Sequence, residues 1–268
     1  AHKENRESVI ITFHPHPRTL VNTDTGNLRL LNSIDEKVEI LSQTGIQNLV
    51  ITPFTSSFAE QSAQEYIEKF LIGCFHPENI TIGFDHRFGK ERSGGIELLK
   101  DYAQRNFFTI DEIPEQQINE LKVSSTRIRQ LLESGKIDVA NLLLGAPYPI
   151  MGLVVKGRQQ GRLLGFPTAN IQNSEPLKLI PKNGVYASYV NVDGQKFKGA
   201  VNIGIKPTFE QLTPTVEVHI LNFNHDIYDK KIKLELITRI RDEIEFPNLE
   251  ALKNQIATDI LHIQNLLT

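Results

Sequence analysis

The chain of 268 residues is 40% hydrophobic and 23% charged, which is typical of globular proteins and unlike disordered or collagen-like chains. With 29 Lys and Arg against 32 Asp and Glu, its net charge of −3 argues against a general positive field for nucleic acid or an anionic membrane. The single cysteine, Cys74, excludes an internal disulfide and a Cys-rich zinc site and favours a reducing, cytoplasmic location. No apolar run reaches the roughly 18–20 residues of a membrane span, and the first residues do not predict a signal peptide.

The first half alternates short β-branched runs with amphipathic stretches, the pattern of strands and crossover helices in a parallel sheet. Two capping boxes are predicted, Ser33 with Glu36 and Ser62 with Glu65. The predicted strands are residues 8–13, 48–52, 79–84 and 107–113, and helices are predicted at 35–44, after Ser62, and at 95–105, 126–133 and 137–144. The run Gly145-Ala146-Pro147 breaks the helical pattern, so we place a domain boundary after residue 146.

The second half, residues 147–268, loses the helical period and predicts a small antiparallel barrel. Its predicted strands are residues 151–156, 185–192, 196–203, 215–221 and 231–240. An amphipathic helix with Asn248 as its N-cap is predicted to close the chain.

A glycine-rich segment follows the first barrel strand. Gly157, Gly161 and Gly165 are spaced four residues apart and are mixed with Arg158 and Arg162. Backbone amides at such glycines can approach an anion closely, which predicts a phosphate cradle, whereas the alternative is an ordinary turn. The chain has neither a Walker motif nor a dinucleotide motif that opens a helix.

Three polar residues near this segment could carry chemistry. Thr168 and Asn170 share a face of an extended segment and could bind a hard cation such as Mg²⁺, or could simply satisfy the loop backbone. Glu217 lies in an alternating barrel strand and shares a face with His219 and Leu221. It is a candidate general base, and the alternative is a solvent-facing glutamate on the outer face.

The remaining candidates are weaker as isolated patterns. The FHPHPR run at 13–18 contains two histidines, but its prolines enforce an extended loop and no third metal ligand is evident. Asp85 follows a strand at the edge where open α/β sheets bind ligands. The SSTRIR run at 124–129 begins a helix and predicts either an anion site or simple N-capping. The charge-rich end of the last strand, which includes Arg241, could be a solvated edge.

Taken together, these motifs resemble the bifunctional bacterial riboflavin kinase/FAD synthetase family. The matching runs are FHPHPR (13–18), GFDHRFG (83–89), SSTRIR (124–129), GRLLGFPTAN (161–170), NIGIKPTF (202–209), VEVHILNF (216–223) and RIRDEIEF (239–246). The resemblance implies a Rossmann-like α/β nucleotidyltransferase domain at 1–146, which converts FMN and ATP to FAD and pyrophosphate. It also implies a six-stranded antiparallel barrel with a C-terminal helix at 147–268, which phosphorylates riboflavin.

The resemblance also implies residue roles in the barrel. Glu217 would accept the proton of the ribityl 5′-hydroxyl as that group attacks ATP, and Thr168 and Asn170 would hold Mg²⁺ and the phosphates. The glycine-rich segment would contribute Gly157, Gly161, Arg162 and Gly165. The segment around Arg241 would close over the flavin.

In the first domain, the family's nucleotide-binding positions correspond to Asp85, Ser125, Thr126 and Arg129. The implied partners are riboflavin, FMN and ATP, without nucleic acid or membrane. Two alternatives stay open: a riboflavin kinase whose first domain is structural or regulatory, and a flavin or nucleotide sensor without turnover.

The family begins with a strand and a GxFDGxHxGH segment that binds ATP phosphates, and residues 1–7 instead resemble the helix that follows it. Either such a segment precedes residue 1 in the intact protein, or the protein has lost this part of the adenylyl-transfer machinery. We expect the first, and we expect the chain as written to act only as the kinase.

Purified residues 1–268 are accordingly expected to form FMN from riboflavin and ATP, without forming FAD from FMN and ATP. Chromatographic separation of the flavin products measures both steps. FAD formation at a rate comparable with FMN formation would contradict the assignment of adenylyl transfer to the upstream segment.

Overall fold

The computed structural model describes residues 1–21, 28–119, 121–157, 160–207 and 212–267. The chain forms two compact units, Ala1–Leu28 with Leu41–Lys122 and Arg29–Ile40 with Val123–Thr268. The second unit thus takes in residues 29–40 and 123–146, which the sequence boundary assigns to the first domain. That boundary stays a prediction.

Helices and strands follow one another closely along the described chain. The helices are α1 Arg18–Val21, α2 Ile34–Ser42, α3 Ser56–Ala59, α4 Ala63–Glu65, α5 Ile96–Gln104, α6 Ser125–Glu133, α7 Ile137–Leu144, α8 Gln160–Leu163 and α9 Leu249–Leu266, with a π-helical stretch Tyr66–Phe75 after α4 and 3₁₀ turns at His2–Glu4 and Lys90–Arg92. The strands are β1 Val9–His14, β2 Asn48–Pro53, β3 Asn79–Gly83, β4 Thr109–Ile113, β5 Gln117–Ile118, β6 Leu121–Lys122, β7 Tyr148–Val155, β8 Ala169–Gln172, β9 Gly184–Val192, β10 Gln195–Pro207, β11 Leu212–Ile220 and β12 Lys231–Arg241.

The first unit contains the four predicted parallel strands, the helix predicted after Ser62 and the helix predicted at 95–105. β1 pairs with β2 and β3 with β4, both in parallel, as two separate pairs within the described residues. The predicted capping box at Ser62 is confirmed, because its hydroxyl accepts from Glu65 N at 3.1 Å while the Glu65 carboxylate accepts from Ser62 N at 3.0 Å. The following turns bury Tyr66 and Ile67 against α5, where Leu99 is also buried. This arrangement confirms a Rossmann-like α/β region.

The second unit contains the predicted barrel. Six antiparallel strands close in the order β10-β11-β8-β7-β12-β9. Alternating apolar side chains, among them Ile150, Val201 and Leu234, are buried inside it. α9 begins where the Asn248 side chain accepts from Ala251 N at 2.8 Å, and it buries Ile263 against the barrel. The barrel and its C-terminal helix are therefore confirmed. β8 is not among the strands predicted from the sequence.

No helix in the described part of the chain is both long and apolar enough to cross a bilayer.

A buried ion pair joins residues 29–40 to the barrel. The Lys178 Nζ lies 2.6 Å from the Glu36 carboxylate, and the two side chains are 1% and 0% exposed. The other Glu36 oxygen accepts from Met151 N at 2.9 Å, while Lys178 also donates to Leu31 O at 2.7 Å and lies 4.1 Å from the Tyr148 ring centre. Burial lowers the pKa of Lys178 to about 8, so the ammonium is still largely charged at neutral pH.

Two further ion pairs connect α2 to β12. Lys231 binds Asp35 and Lys233 binds Glu39, each at 2.5 Å. Glu36 itself also forms the predicted capping box, since it accepts from Ser33 N at 2.9 Å. Asp35 and Glu39, four residues apart, lie on one face of α2. They pair with Lys231 and Lys233, which are two residues apart and therefore lie on one face of β12.

We expect Lys178→Met to lower the free energy of unfolding by about 3–5 kcal/mol, because it leaves the Glu36 charge buried without its cation. The matched change Lys231→Met, in a half-exposed pair, should cost less than about 1 kcal/mol. Urea unfolding followed by circular dichroism measures both.

The double variant Lys178→Met with Glu36→Gln should recover part of the loss, because no unpaired charge then remains buried. Equal costs for Lys178→Met and Lys231→Met would show that the buried pair does not anchor this segment.

Candidate active site on the barrel

Strand β11 directs its side chains alternately into and away from the barrel core. Val216 and Val218 are buried in the core, whereas Glu217 and His219 lie on the opposite face and are half-buried. Glu217 is thus neither enclosed in the barrel core nor fully solvent-exposed. A half-buried carboxylate at this position can exchange a proton with a bound molecule.

Strand β8 brings the two predicted cation ligands to this carboxylate. In the antiparallel register Asn170 lies directly opposite Glu217, and Thr168 precedes the strand by one residue. The Thr168 hydroxyl donates a long hydrogen bond of 3.4 Å to the Glu217 carboxylate. Two oxygen-bearing side chains of one short segment therefore lie beside a carboxylate that is 49 residues away from Thr168 in the sequence.

The glycine-rich segment packs directly against these side chains. A Cβ at Gly157 would overlap the Asn170 amide, with Cγ at 2.5 Å, and a Cβ at Gly161 would overlap Phe166 O and lie 3.3 Å from the Thr168 hydroxyl. Gly165 has a φ of +85°, a conformation that favours glycine. Gly157 and Gly161 thus let the backbone come close to Asn170 and Thr168, whereas a Cβ at Gly165 would meet no atom within 4 Å. Arg162 is exposed on α8, and Arg158 lies outside the described residues.

A fourth polar residue, Asn202, was not singled out from the sequence. It lies on β10 directly opposite Glu217, on the side away from Asn170. Asn170, Glu217 and Asn202 therefore form a row across three adjacent strands. The NIG run contains this asparagine, but only the strand register reveals its neighbour.

The charge-rich end of β12 is tied to the rest of the barrel unit. The Arg241 guanidinium binds the Asp259 carboxylate of α9 through two nitrogens, with Nη2 to Oδ2 at 2.7 Å. Arg239 binds Asp242 at 2.7 Å, and this hydrogen bond lowers the pKa of Asp242. The Arg241 side chain therefore forms an ion pair within the barrel unit. That the segment around Arg241 closes over the flavin stays a prediction.

The first-half candidates lie in two different units. Asp85 is exposed just after β3 in the first unit, at the predicted carboxyl edge. Ser125, Thr126 and Arg129 belong to α6 in the second unit, where Ser124 caps the helix by accepting from Arg127 N at 3.3 Å. Ser125 and Thr126 are exposed, and Arg129 Nε donates to a backbone carbonyl, Arg29 O, at 2.6 Å.

The histidines of FHPHPR show no metal-binding arrangement. His16 Nδ1 accepts from Arg18 N at 3.2 Å. Within the described ranges there is no group of three or more His, Cys, Asp or Glu residues that could hold a metal ion. The Thr168 and Asn170 site is different in kind, because its oxygens come from a hydroxyl and an amide.

The chain is similar in sequence and in structure to known proteins. The riboflavin kinase family matches residues 144–267, and the FAD synthetase family matches residues 1–127. A bifunctional riboflavin kinase/FMN adenylyltransferase of Bacillus subtilis (strain 168) is 34% identical over 255 residues, which cover 93% of this chain and 79% of the relative. One of Buchnera aphidicola subsp. Schizaphis graminum is 38% identical over 262 residues, covering 96% and 83%. A crystal structure described as a macrolide-efflux protein from Streptococcus pneumoniae superposes with a TM-score of 0.88 at 32% identity, covering 99% of this chain and 86% of that one.

We expect Gly157→Ala to lower the free energy of unfolding by about 1–3 kcal/mol, because the new methyl group would overlap the Asn170 amide. The matched control is Gly83→Ala, where a Cβ would meet only the Asp85 carboxylate at 3.8 Å. Truncation by Asn170→Ala should remove most of the Gly157→Ala penalty. Chemical unfolding that shows Gly157→Ala to be as harmless as Gly83→Ala would contradict the close packing.

Proposed function

Because the chain belongs to the family of bifunctional riboflavin kinase/FMN adenylyltransferases, we propose that Glu217, Thr168 and Asn170 form the site at which its barrel phosphorylates riboflavin. The protein is an enzyme of flavin biosynthesis that uses ATP. It has a region for forming FMN and a region for transferring an adenylyl group to FMN. The observation that supports the kinase site is the convergence of Thr168 and Asn170 on Glu217.

In this proposal Glu217 is the general base. It accepts the proton of the ribityl 5′-hydroxyl while the oxygen of that group bonds to the γ-phosphorus of ATP and the bond to ADP breaks. Phosphoryl transfer depends mainly on positioning and on charge stabilisation, so one carboxylate beside a phosphate site is sufficient. The half-buried position of Glu217 partly shields it from water without enclosing it.

The oxygen donors next to Glu217 fit a hard divalent cation. Thr168 and Asn170 supply a hydroxyl and an amide oxygen, which are ligands suited to Mg²⁺. We propose that these two residues hold Mg²⁺ together with the ATP phosphates. The cation would offset negative charge on the transferred phosphoryl group.

We also propose roles for the glycine-rich segment and for Arg241 in binding the substrates. Gly157, Gly161 and Gly165 supply backbone amides that approach the phosphates, and exposed Arg162 adds a positive charge. Arg241 holds the start of the segment that closes over the flavin, through its pair with Asp259.

For adenylyl transfer, we propose Asp85 as a nucleotide-binding residue of the first unit, and separately three residues of α6 in the second unit as nucleotide-binding residues: Ser125, Thr126 and Arg129. The FAD synthetase match ends at residue 127, and the riboflavin kinase match begins at residue 144. These limits support dividing the two activities between residues 1–146 and 147–268. The low cysteine content supports a cytoplasmic location.

We expect Glu217→Gln to lower kcat for FMN formation by about 10²–10⁴-fold, because the amide cannot accept the hydroxyl proton. Riboflavin and ATP affinities should change by only a few fold, since the side-chain shape is retained. Steady-state kinetics and titration calorimetry measure these quantities. The exposed Glu133→Gln serves as the matched control.

This variant also separates the competing functions. A ligand sensor would show no FMN formation in either protein, and a kinase that uses a different base would keep its rate in Glu217→Gln. Either outcome would overturn the proposed site.

A further inference from the structure

His219 lies two residues beyond Glu217 on the same face of β11 and has no part in the proposed chemistry. Its Nδ1 lies 2.8 Å from the carbonyl oxygen of Pro167. A carbonyl oxygen only accepts hydrogen bonds, so the imidazole carries a proton on Nδ1 and donates it. The ring also meets Phe166 edge to face, with ring centres 5.7 Å apart.

The position of this hydrogen bond is explained by the short ladder between β8 and β11. The ladder pairs Val216 with Ile171, Glu217 with Asn170, and Val218 with Ala169, and it ends there. Thr168 lies one residue beyond the last pair. Pro167 has no N–H with which to continue the ladder. The His219 side chain therefore extends the attachment to β11 past the point where backbone pairing stops.

The start of this stretch is also attached to the backbone of the glycine-rich segment. Phe166 N donates to Gly161 O at 2.8 Å. Two neighbouring residues before Thr168 are therefore hydrogen-bonded, Phe166 to the glycine-rich segment and Pro167 to His219. Thr168, which reaches Glu217 at 3.4 Å, follows directly after Pro167.

We propose that His219 is a positioning residue for phosphoryl transfer: its hydrogen bond to Pro167 O fixes the distance between Thr168 and Glu217. This inference rests on the proposed kinase site. His219 acts through Pro167 and touches no reacting atom. A displacement of about 1 Å between groups that must cooperate can cost about 10²-fold in rate, so loss of this hydrogen bond should appear mainly in kcat.

Two substitutions separate the hydrogen bond from the ring contact. His219→Leu keeps an apolar side chain beside Phe166 but removes the donor. His219→Asn removes the ring but places an amide N–H near the position of Nδ1. His225→Leu is the control, because His225 is an exposed histidine that packs on Phe223 and lies outside the site.

The experiment measures kcat and KM for riboflavin, the Mg²⁺ concentration for half-maximal rate, and the thermal midpoint of each variant of the full chain. We expect His219→Leu to lower kcat by about 10–100-fold and to raise the Mg²⁺ requirement, with an unchanged KM for riboflavin. We expect His219→Asn to restore most of kcat, and His225→Leu to match the wild type.

The inference is overturned if His219→Leu retains the wild-type kcat, or if His219→Asn is as slow as His219→Leu. It is also overturned if the activity of His219→Leu falls only as much as its folded fraction does. Glu217→Gln, assayed in parallel, keeps the two proposals apart. If kcat falls in Glu217→Gln but not in His219→Leu, only the role of His219 is rejected. If kcat does not fall in Glu217→Gln, the site itself is rejected.

Discussion

The candidate site depends on the register of one short strand pair. β8 pairs with β11 over three residue pairs, and the middle pair places Asn170 opposite Glu217. Side chains alternate along a strand, so a shift of one residue would turn Asn170 to the other face and separate it from the carboxylate. The glycine-rich segment and the hydrogen bond from His219 to Pro167 O both lie at the end of this ladder, where they hold Thr168 close to Glu217.

A second constraint acts on the barrel from a distant part of the chain. Glu36 and Lys178 are 142 residues apart and form a buried pair at 2.6 Å. Two polar groups of this kind are costly to bury unless their remaining hydrogen bonds are satisfied, and Met151 N, Ser33 N and Leu31 O satisfy them here. Residues 29–40 are therefore structurally part of the barrel unit, although the FAD synthetase family match contains them.

Local chemistry explains which features were predictable from sequence. Both capping boxes are four-residue patterns, and both form as expected. β8 was missed as a strand because its four residues are too few for a clear alternation. Asn202 and the pairing of Glu36 with Lys178 could not be predicted, since register and long-range burial leave no local pattern. The RIRDEIEF run makes Arg241 a candidate site residue. Its ion pair with Asp259 could not be predicted, because the pair depends on where α9 packs.

The most direct test of the account is a cross-link between β8 and β11. Opposed residues of antiparallel strands have Cα atoms about 4.5–5.5 Å apart, which a disulfide can bridge, whereas diagonal neighbours are about 7–8 Å apart. Both double variants are made in a Cys74→Ser background. The variant with Asn170→Cys and Glu217→Cys should form a disulfide on oxidation, seen as a mass loss of two hydrogens. The variant with Gln172→Cys and Glu217→Cys should not form one. Preferential cross-linking of the 172 pair, or no cross-link at 170, would contradict the register on which the site depends.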